Sequence, residues 1–302
     1  LLDVDYPELA TTVWNRYDRQ IASRLREDVQ LVNIGLNDLW IRSTIMDFGR
    51  LIPAELTISA DTSVAIPELT RLLETQLASG GSKAAGRIAE GRTAKAAARE
   101  RAITQAAEHI NDRPIPLSSI ASALWDNIKG DDNWVFAGAL DGWNRRLWEV
   151  ERPGSILGGG GAAALGTGLP RAVGAALAVK KSGGYCVAIE GDGDMMYVPS
   201  TVWTAVHHNI PILVIVRDND GYKGEGEHVT WTSEFRERSL ELQHVATKIT
   251  GPNIDYGAIA RAQGAYAEEP IEDPGELSAA IARALKVVKE QQTMALLTVR
   301  SE

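Results

Sequence analysis

The chain has 302 residues, 44% of them hydrophobic and 24% charged, with 31 basic and 40 acidic side chains and a formal net charge of −9. That length suggests two globular domains with a sizeable core, and the acidic balance argues against coating nucleic acid or an anionic membrane. One cysteine, Cys186, excludes a disulfide framework and any metal site built on several thiolates. Apolar runs stop short of the roughly 20 residues that span a bilayer and no signal-peptide pattern opens the chain, so a cytoplasmic location is expected. The first residue is Leu1 rather than methionine, from which an upstream segment, removed or left out, is expected.

In chain order, Val29–Ile34 reads as a buried strand ending at Gly35, and Leu56–Ser59 as a second. Asp61 is placed to cap a helix running through Pro67 to Leu73. Ser79-Gly80-Gly81-Ser82 is a break, after which Lys83–Ile110 is rich in Ala, Arg, Lys and Glu, as in a solvated linker helix. Its basic residues Arg87, Arg92, Lys95, Arg99 and Arg101 are interleaved with Glu90, Glu100 and Glu108, which disfavours a nucleic-acid surface. From residue 114 the pattern is a regular α/β alternation. Helices are expected at 117–128, 162–180, 198–208, 255–263 and 275–289, and strands at 134–139, 185–189, 211–216 and 294–299. Continuous β-branched runs separated by helices predict an α/β fold with a parallel sheet covered on both faces.

Two strand ends carry polar residues that packing alone would not select. The strand at 185–189 runs into Glu190-Gly191-Asp192-Gly193-Asp194, and the one at 211–216 into Arg217-Asp218-Asn219-Asp220-Gly221-Tyr222. One helix lies between them, so the strands should be parallel and adjacent. Asp192 and Asn219, 27 positions apart, would then share the carboxyl edge where open α/β sheets bind ligands. A carboxylate (Asp192), an amide oxygen (Asn219) and a backbone carbonyl (Gly221) are hard donors suited to Mg²⁺, which takes phosphate oxygens and water in its other positions. Gly191 and Gly193 permit close approach of the backbone. Gly, Asp and Asn are also the commonest turn residues, but the paired arrangement is more specific than either turn alone.

These two clusters resemble the diphosphate–metal signature of thiamine-diphosphate-dependent enzymes, within them the 2-oxo-acid decarboxylase and acetolactate-synthase-like group. Leu165-Gly166-Thr167-Gly168-Leu169-Pro170, leading into Ala172–Ala176, is similar to a further segment of that family. The resemblance implies a thiamine-diphosphate-binding parallel-sheet fold over residues 114–302, preceded by a partial Rossmann-like central domain over 1–75 and a helical linker over 76–113. It implies Mg²⁺ on Asp192, Asn219 and the Gly221 carbonyl, and backbone N–H groups of Gly193 and Asp194 on the diphosphate, with Gly191 and Tyr222 alongside. Leu165 matches the apolar wedge that bends the cofactor and is the candidate catalytic residue. The Ala163 carbonyl would accept from the cofactor's amino group, and Leu140-Asp141-Gly142 fall where family members touch the diphosphate. Asp194 stands where many relatives have Ser, so only its backbone is credited. Asp218 stands where the family's common form has a first asparagine.

The implied activity is a lyase or carboligase reaction on a 2-oxo acid or related ketone, through an enamine. In that family a separate domain binds the pyrimidine and supplies a glutamate, and nothing in residues 1–113 looks like it. A distinct partner subunit in a hetero-oligomer such as a heterotetramer is therefore expected, in preference to a removed N-terminal portion; no nucleic-acid or membrane partner is expected. A thiamine-diphosphate-dependent oxidoreductase subunit and a non-catalytic cofactor-binding regulatory subunit remain as alternatives. Gly158–Gly161 lacks the Lys-Ser/Thr of a P-loop and the spacing of a dinucleotide fingerprint. Cys186 reads as a packed small hydrophobe. His207-His208 read as helix-end residues, and His228 as either substrate-facing or part of a Gly-rich lid. The tryptophans at 125, 134, 143, 148, 203 and 231 read as core or interface.

Overall fold

In the computed structural model, residues 2–4, 14–15, 22–23, 28–36, 54–78, 84–157 and 164–302 are described. They fall into two units, Leu1–Gly91 and Arg92–Glu302. The first holds β1 (Leu2–Val4), the antiparallel pair β2 (Trp14–Asn15) and β3 (Ala22–Ser23), then β4 (Val32–Gly35) and β5 (Leu56–Ser59). Strands β1, β4 and β5 form a parallel sheet in that order. Helix α1 (Thr62–Ala78) follows, and the Ser63 N–H donates to Asp61 Oδ1 at 2.8 Å, the cap that the sequence pattern suggests. Ser79–Ser82 lie outside the described residues.

Helix α2 (Ala84–Glu108) spans the boundary between the units. The expected linker is therefore not a separate body. Its C-terminal half is amphipathic, and Ala102 and Ala106 are buried in the core of the second unit together with Ile120, Leu124 and Trp148. Methyl side chains let a highly charged helix sit close on that core while Arg99 reaches Glu149 at 3.1 Å.

The second unit continues with α3 (Leu117–Ile128), β6 (Trp134–Ala137), α4 (Trp143–Leu147), β7 (Ile156–Leu157) and α5 (Gly168–Lys180). Next come β8 (Tyr185–Gly191), α6 (Asp192–Tyr197), α7 (Thr201–His207), β9 (Ile212–Asp218) and α8 (Lys223–Phe235). The chain closes with α9 (Tyr256–Ala262), β10 (Tyr266–Ala267), α10 (Pro274–Gln291) and β11 (Met294–Arg300). All six strands are parallel, in the order β10-β11-β9-β8-β6-β7. Alternation along β9 sends Leu213 and Ile215 to one core, and Val214 and Val216 to the other. Helices α3 and α10 pack on the first face, and α5, α7 and α9 on the second. Both faces are thus dry, as the uninterrupted apolar strands require. Trp125, Trp134 and Trp148 belong to the first core, with Trp125 and Trp148 stacked at 5.6 Å. Cys186 is fully buried, and burial pushes its thiol up to about 12, consistent with a packing role.

Several boundaries differ from the sequence pattern for local reasons. Strand β6 stops at Ala137 because Gly138 turns the chain with φ +144°. The helix expected from 162 begins at Gly168, since Gly166 at φ +75° breaks any earlier turn. The helix expected over 198–208 is the shorter α7, Thr201–His207, and a further short helix that the pattern did not suggest, α6, precedes it at Asp192–Tyr197, with Pro199 between the two. The Gly-rich stretch after the second polar cluster, read as a potential lid, is helical: Gly226 N–H donates to the Tyr222 carbonyl at 2.9 Å and opens α8.

Chain direction from β6 also explains where a crevice opens. After β6 the chain crosses outward to β7, then returns to the other side of β6 to form β8. Loops leaving β6 and β8 therefore diverge, and a cleft forms at their carboxyl ends. Gly138 sits at that point, where a β-carbon would lie 2.7 Å from the Ile189 carbonyl oxygen and 2.8 Å from its nitrogen. Gly138→Ala should therefore cost roughly 1–3 kcal/mol, because backbone rather than a mobile side chain must yield. Urea unfolding checks this; an unchanged midpoint would show that the exit of β6 is more yielding than its packing implies.

Candidate active site

A cavity of about 400 Å³ occupies this cleft. Strands β8 and β9 lie side by side in register, with Gly191 opposite Arg217. Their ends bring Gly191, Asp192, Gly193 and Asp194 together with Asn219, Gly221 and Tyr222 on one wall, and Leu165 joins them from the turn before α5. Eight of the residues singled out in the sequence thus share one cavity.

Asp192 organises it. Its side chain is buried at 1% exposure. One carboxylate oxygen, Oδ1, accepts the Gly193 N–H at 2.7 Å; the other, Oδ2, accepts the N–H groups of Gly221 at 2.8 Å and Asn219 at 3.2 Å. One side chain from the end of β8 therefore holds the loop that leaves β9. Burial raises its pKa, while these three donors act in the opposite direction. A carboxylate offers about four lone-pair directions, and three are taken, leaving one on Oδ1 for a cation. The Asn219 amide nitrogen donates to the Glu302 carbonyl at 3.5 Å, and no hydrogen bond to its oxygen occurs among the described residues. The Gly221 carbonyl accepts the Lys223 N–H at 3.0 Å and keeps a second lone pair. No cluster of three or more His, Cys, Asp or Glu able to hold a metal occurs among the described residues. The available set is one carboxylate, one amide and one carbonyl. That fits Mg²⁺, which keeps several positions for water and phosphate, better than a metal needing a full protein cage.

Glycines here are spatial requirements. A side chain at Gly193 would collide with the ring of Tyr222, and one at Gly221, φ +151°, with the Thr247 carbonyl oxygen. A β-carbon at Gly166 would lie 2.6 Å from that of Tyr197, so the turn carrying Leu165 rests directly on α6. Leu165 itself is 41% exposed, an apolar side chain held at the cavity wall instead of in a core. Asp194, credited only for its backbone on sequence grounds, uses its carboxylate: Oδ1 accepts the Gly166 N–H at 2.8 Å and ties the Leu165 turn to α6.

Three expected residues lie elsewhere. Leu140 is fully buried in the core and Gly142 caps α4 with φ +83°. Asp141 is exposed and, among the described residues, pairs with Arg217 at 4.0 Å. The cavity is lined instead by Gly138 and Ala139, because β6 ends two residues earlier than its apolar pattern suggests. Ala163 lies outside the described residues. His228 is exposed on α8 and lines neither this cavity nor the neighbouring one of about 590 Å³ between α8 and residues 243–250. His207 stacks on Trp203 at 4.6 Å, and His208 ends α7.

The sequence reading also missed the part played by charged residues around the ends of β8 and β9. Glu190 is 5% exposed, and burial followed by the nearby charge of Asp194 pushes its carboxyl up to about 8, with Arg171 opposing. A side chain at Gly168 would strike that carboxylate. Arg300, at the end of β11, donates to Asp218 at 2.7 Å and to both oxygens of Asp220 at 2.9 and 3.1 Å. It therefore neutralises the two acids flanking Asn219, including the aspartate that replaces the family's usual first asparagine. The available signal was a charged residue interrupting the end of an apolar strand, at Glu190, Arg217 and Arg300.

Residues 137–299 match the family model for the thiamine pyrophosphate enzyme C-terminal TPP-binding domain. The chain belongs to the thiamine pyrophosphate enzymes. It is 28% identical over 184 residues to the probable acetolactate synthase large subunit of Methanococcus aeolicus, a match covering 58% of this chain and 28% of that protein. Over 107 residues it is 26% identical to the mitochondrial acetolactate synthase of Schizosaccharomyces pombe, covering 35% of this chain and 15% of the relative. Benzoylformate decarboxylase from Polynucleobacter necessarius has the same fold, with a TM-score of 0.62 at 15% identity over 93% of this chain and 46% of its own. The chain thus spans less than half the length of each of these proteins. The cofactor of the family is thiamine pyrophosphate, also called thiamine diphosphate, and the α/β fold with its parallel sheet is the one that binds it. No described helix is long and apolar enough to cross a membrane.

In this thiamine pyrophosphate enzyme the link from Asp194 to Gly166 can be separated from charge. Asp194→Asn keeps an oxygen acceptor for the Gly166 N–H and should leave the turn in place. Asp194→Ala orphans that donor and should cost about 0.5–1.5 kcal/mol. Hydrogen exchange should show the Gly166 amide speeding up in the alanine variant and not in the asparagine one. Equal acceleration in both would mean that charge, not the hydrogen bond, holds the turn.

Proposed function

We propose that this chain forms the metal- and diphosphate-binding half of a thiamine-diphosphate- and Mg²⁺-dependent lyase or carboligase acting on a 2-oxo acid or a related ketone. The observation that carries this reading is the Asp192 carboxylate, tied to the backbone of both strand ends with one lone-pair direction left over. On this reading Asp192, the Asn219 amide oxygen and the Gly221 carbonyl hold Mg²⁺, and the backbone N–H groups of Gly193 and Asp194 face the diphosphate. Leu165 would pack against the cofactor from the turn that Asp194 holds. When bound, thiamine diphosphate supplies the carbon nucleophile and the electron sink for making or breaking a carbon–carbon bond next to a carbonyl.

The rest of the chain's work is positional. Tyr222 covers Gly193 and closes the floor of the cavity, and Arg300 keeps the acids beside Asn219 from repelling each other. The reading extends to a second, pyrimidine-binding domain carrying the catalytic glutamate. A partner subunit supplies it, in a hetero-oligomer such as a heterotetramer. The acetolactate synthase and decarboxylase names of the relatives support the lyase or carboligase class.

Asp192→Ala should abolish Mg²⁺-dependent retention of thiamine diphosphate in equilibrium dialysis. Asp192→Asn, which preserves shape and one acceptor, should weaken it at least roughly tenfold, in line with the loss of the only carboxylate in the set. Retention equal to wild type in both variants would remove Asp192 from the metal site. The partner is tested separately: the isolated chain should show no turnover, and full decarboxylase activity from it alone would contradict the two-part site.

A further inference from the structure

We propose that Arg217 is a direct ligand of the diphosphate group, a fixed cation that acts beside the metal; this deepens the function proposed above and rests on it. Arg217 shares a strand face with Leu213 and Ile215, which are fully buried. It emerges one step above them, where the core gives way to the cleft, in register between Gly191 of β8 and Val299 of β11. Because Gly191 has no side chain, nothing on that strand shields the guanidinium from the cavity, and Arg217 lines it together with Asp192, Asn219 and Gly193.

The guanidinium is poorly matched by the protein itself. Its Nε is buried and makes no hydrogen bond among the described residues. Its only carboxylate contact among the described residues is Asp141 Oδ2, 4.0 Å from a terminal nitrogen, and the Asp141 side chain is 67% exposed. A buried N–H left without an acceptor carries the full desolvation cost of that group. An anion with several acceptor oxygens arriving in the cavity removes that cost, and Arg presents its donors in the fork geometry that phosphate oxygens match.

Charge on the wall points the same way. Asp192 and Asp194 place carboxylates on the lining of the cavity that a diphosphate would enter. One divalent ion offsets part of that repulsion, and a second cation on the same wall offsets more of it. Arg300 is committed to Asp218 and Asp220; Arg171 on α5 and Lys223 on α8 also line the cavity, but Arg217 is the cation at the strand end directly beside Gly191. Asp141, expected on sequence grounds to touch the cofactor, then acts on it indirectly, as the resting contact of Arg217.

The test titrates the full chain with inorganic pyrophosphate in the presence of Mg²⁺ by calorimetry, and with Mn²⁺ alone by electron paramagnetic resonance. Arg217→Gln should weaken pyrophosphate roughly tenfold or more, Arg217→Lys should recover part of the loss, and both should bind Mn²⁺ alone as wild type does. In wild-type protein, the Arg217 Nε–Hε resonance should move on addition of pyrophosphate, which keeps the test valid if a variant does not fold. Wild-type pyrophosphate affinity in Arg217→Gln, or an unmoved resonance while pyrophosphate binds, overturns the assignment of Arg217 alone. Absence of any Mg²⁺-dependent pyrophosphate binding by wild type, with Asp192→Ala no different, overturns both this assignment and the function on which it rests.

Discussion

A single carboxylate ties together the two strand ends on which the site is built. Asp192 sits at the end of β8, and through its two oxygens it gathers N–H donors from its own helix and from the loop after β9. Without that bridge the backbone of Asn219 and Gly221 would have no reason to stand beside Gly193. Parallel pairing of β8 with β9 places the ends near each other; the carboxylate converts proximity into a defined set of oxygens. Its near-complete burial makes each of those hydrogen bonds stronger than it would be in water, and makes an unsatisfied lone pair costly.

The rest of the site manages the consequences of gathering acids. Glu190, Asp192, Asp194, Asp218 and Asp220 gather where β8 and β9 end, and the fold answers them in different ways. Arg300 takes Asp218 and Asp220. Asp194 spends its charge on the Gly166 N–H. Glu190, deep against Gly168, is shifted toward its neutral form. The short helix α6 links these arrangements: it begins at Asp192, carries Asp194 and ends at Tyr197, against which the Leu165 turn is seated. The six residues of α6 thus join the Asp192 end of the cavity to its apolar wall at Leu165.

Much of this was legible in the amino-acid sequence, for physical reasons. Apolar runs such as Pro211–Val216 can only be strands buried on both faces, and Asn219 and Asp192 are informative because polar residues directly follow such runs. Their adjacency follows from a single intervening helical segment. What stayed hidden depends on where backbones stop or on contacts between distant segments. Ala139 continues the apolar pattern of Trp134–Ala137, so the pattern cannot show that Gly138 ends the strand and that Gly138 and Ala139, not Leu140–Gly142, line the cavity. Arg300 and Asp218 lie 82 positions apart, and only the β9–β11 pairing brings them together. The helical character of the linker was readable from its composition, but the burial of Ala102 and Ala106 was not, because alanine is as common on exposed helices as on packed ones.

The most direct test of the account is the position of a divalent cation in crystals of this chain grown with thiamine diphosphate and Mn²⁺, located by anomalous scattering at the manganese edge. The account predicts one strong peak between Asp192 Oδ1 and the Asn219 amide oxygen, within coordination distance of the Gly221 carbonyl and joined to the diphosphate density. A diphosphate bound in the cleft with no such peak, or with the metal held away from Asp192, would contradict it.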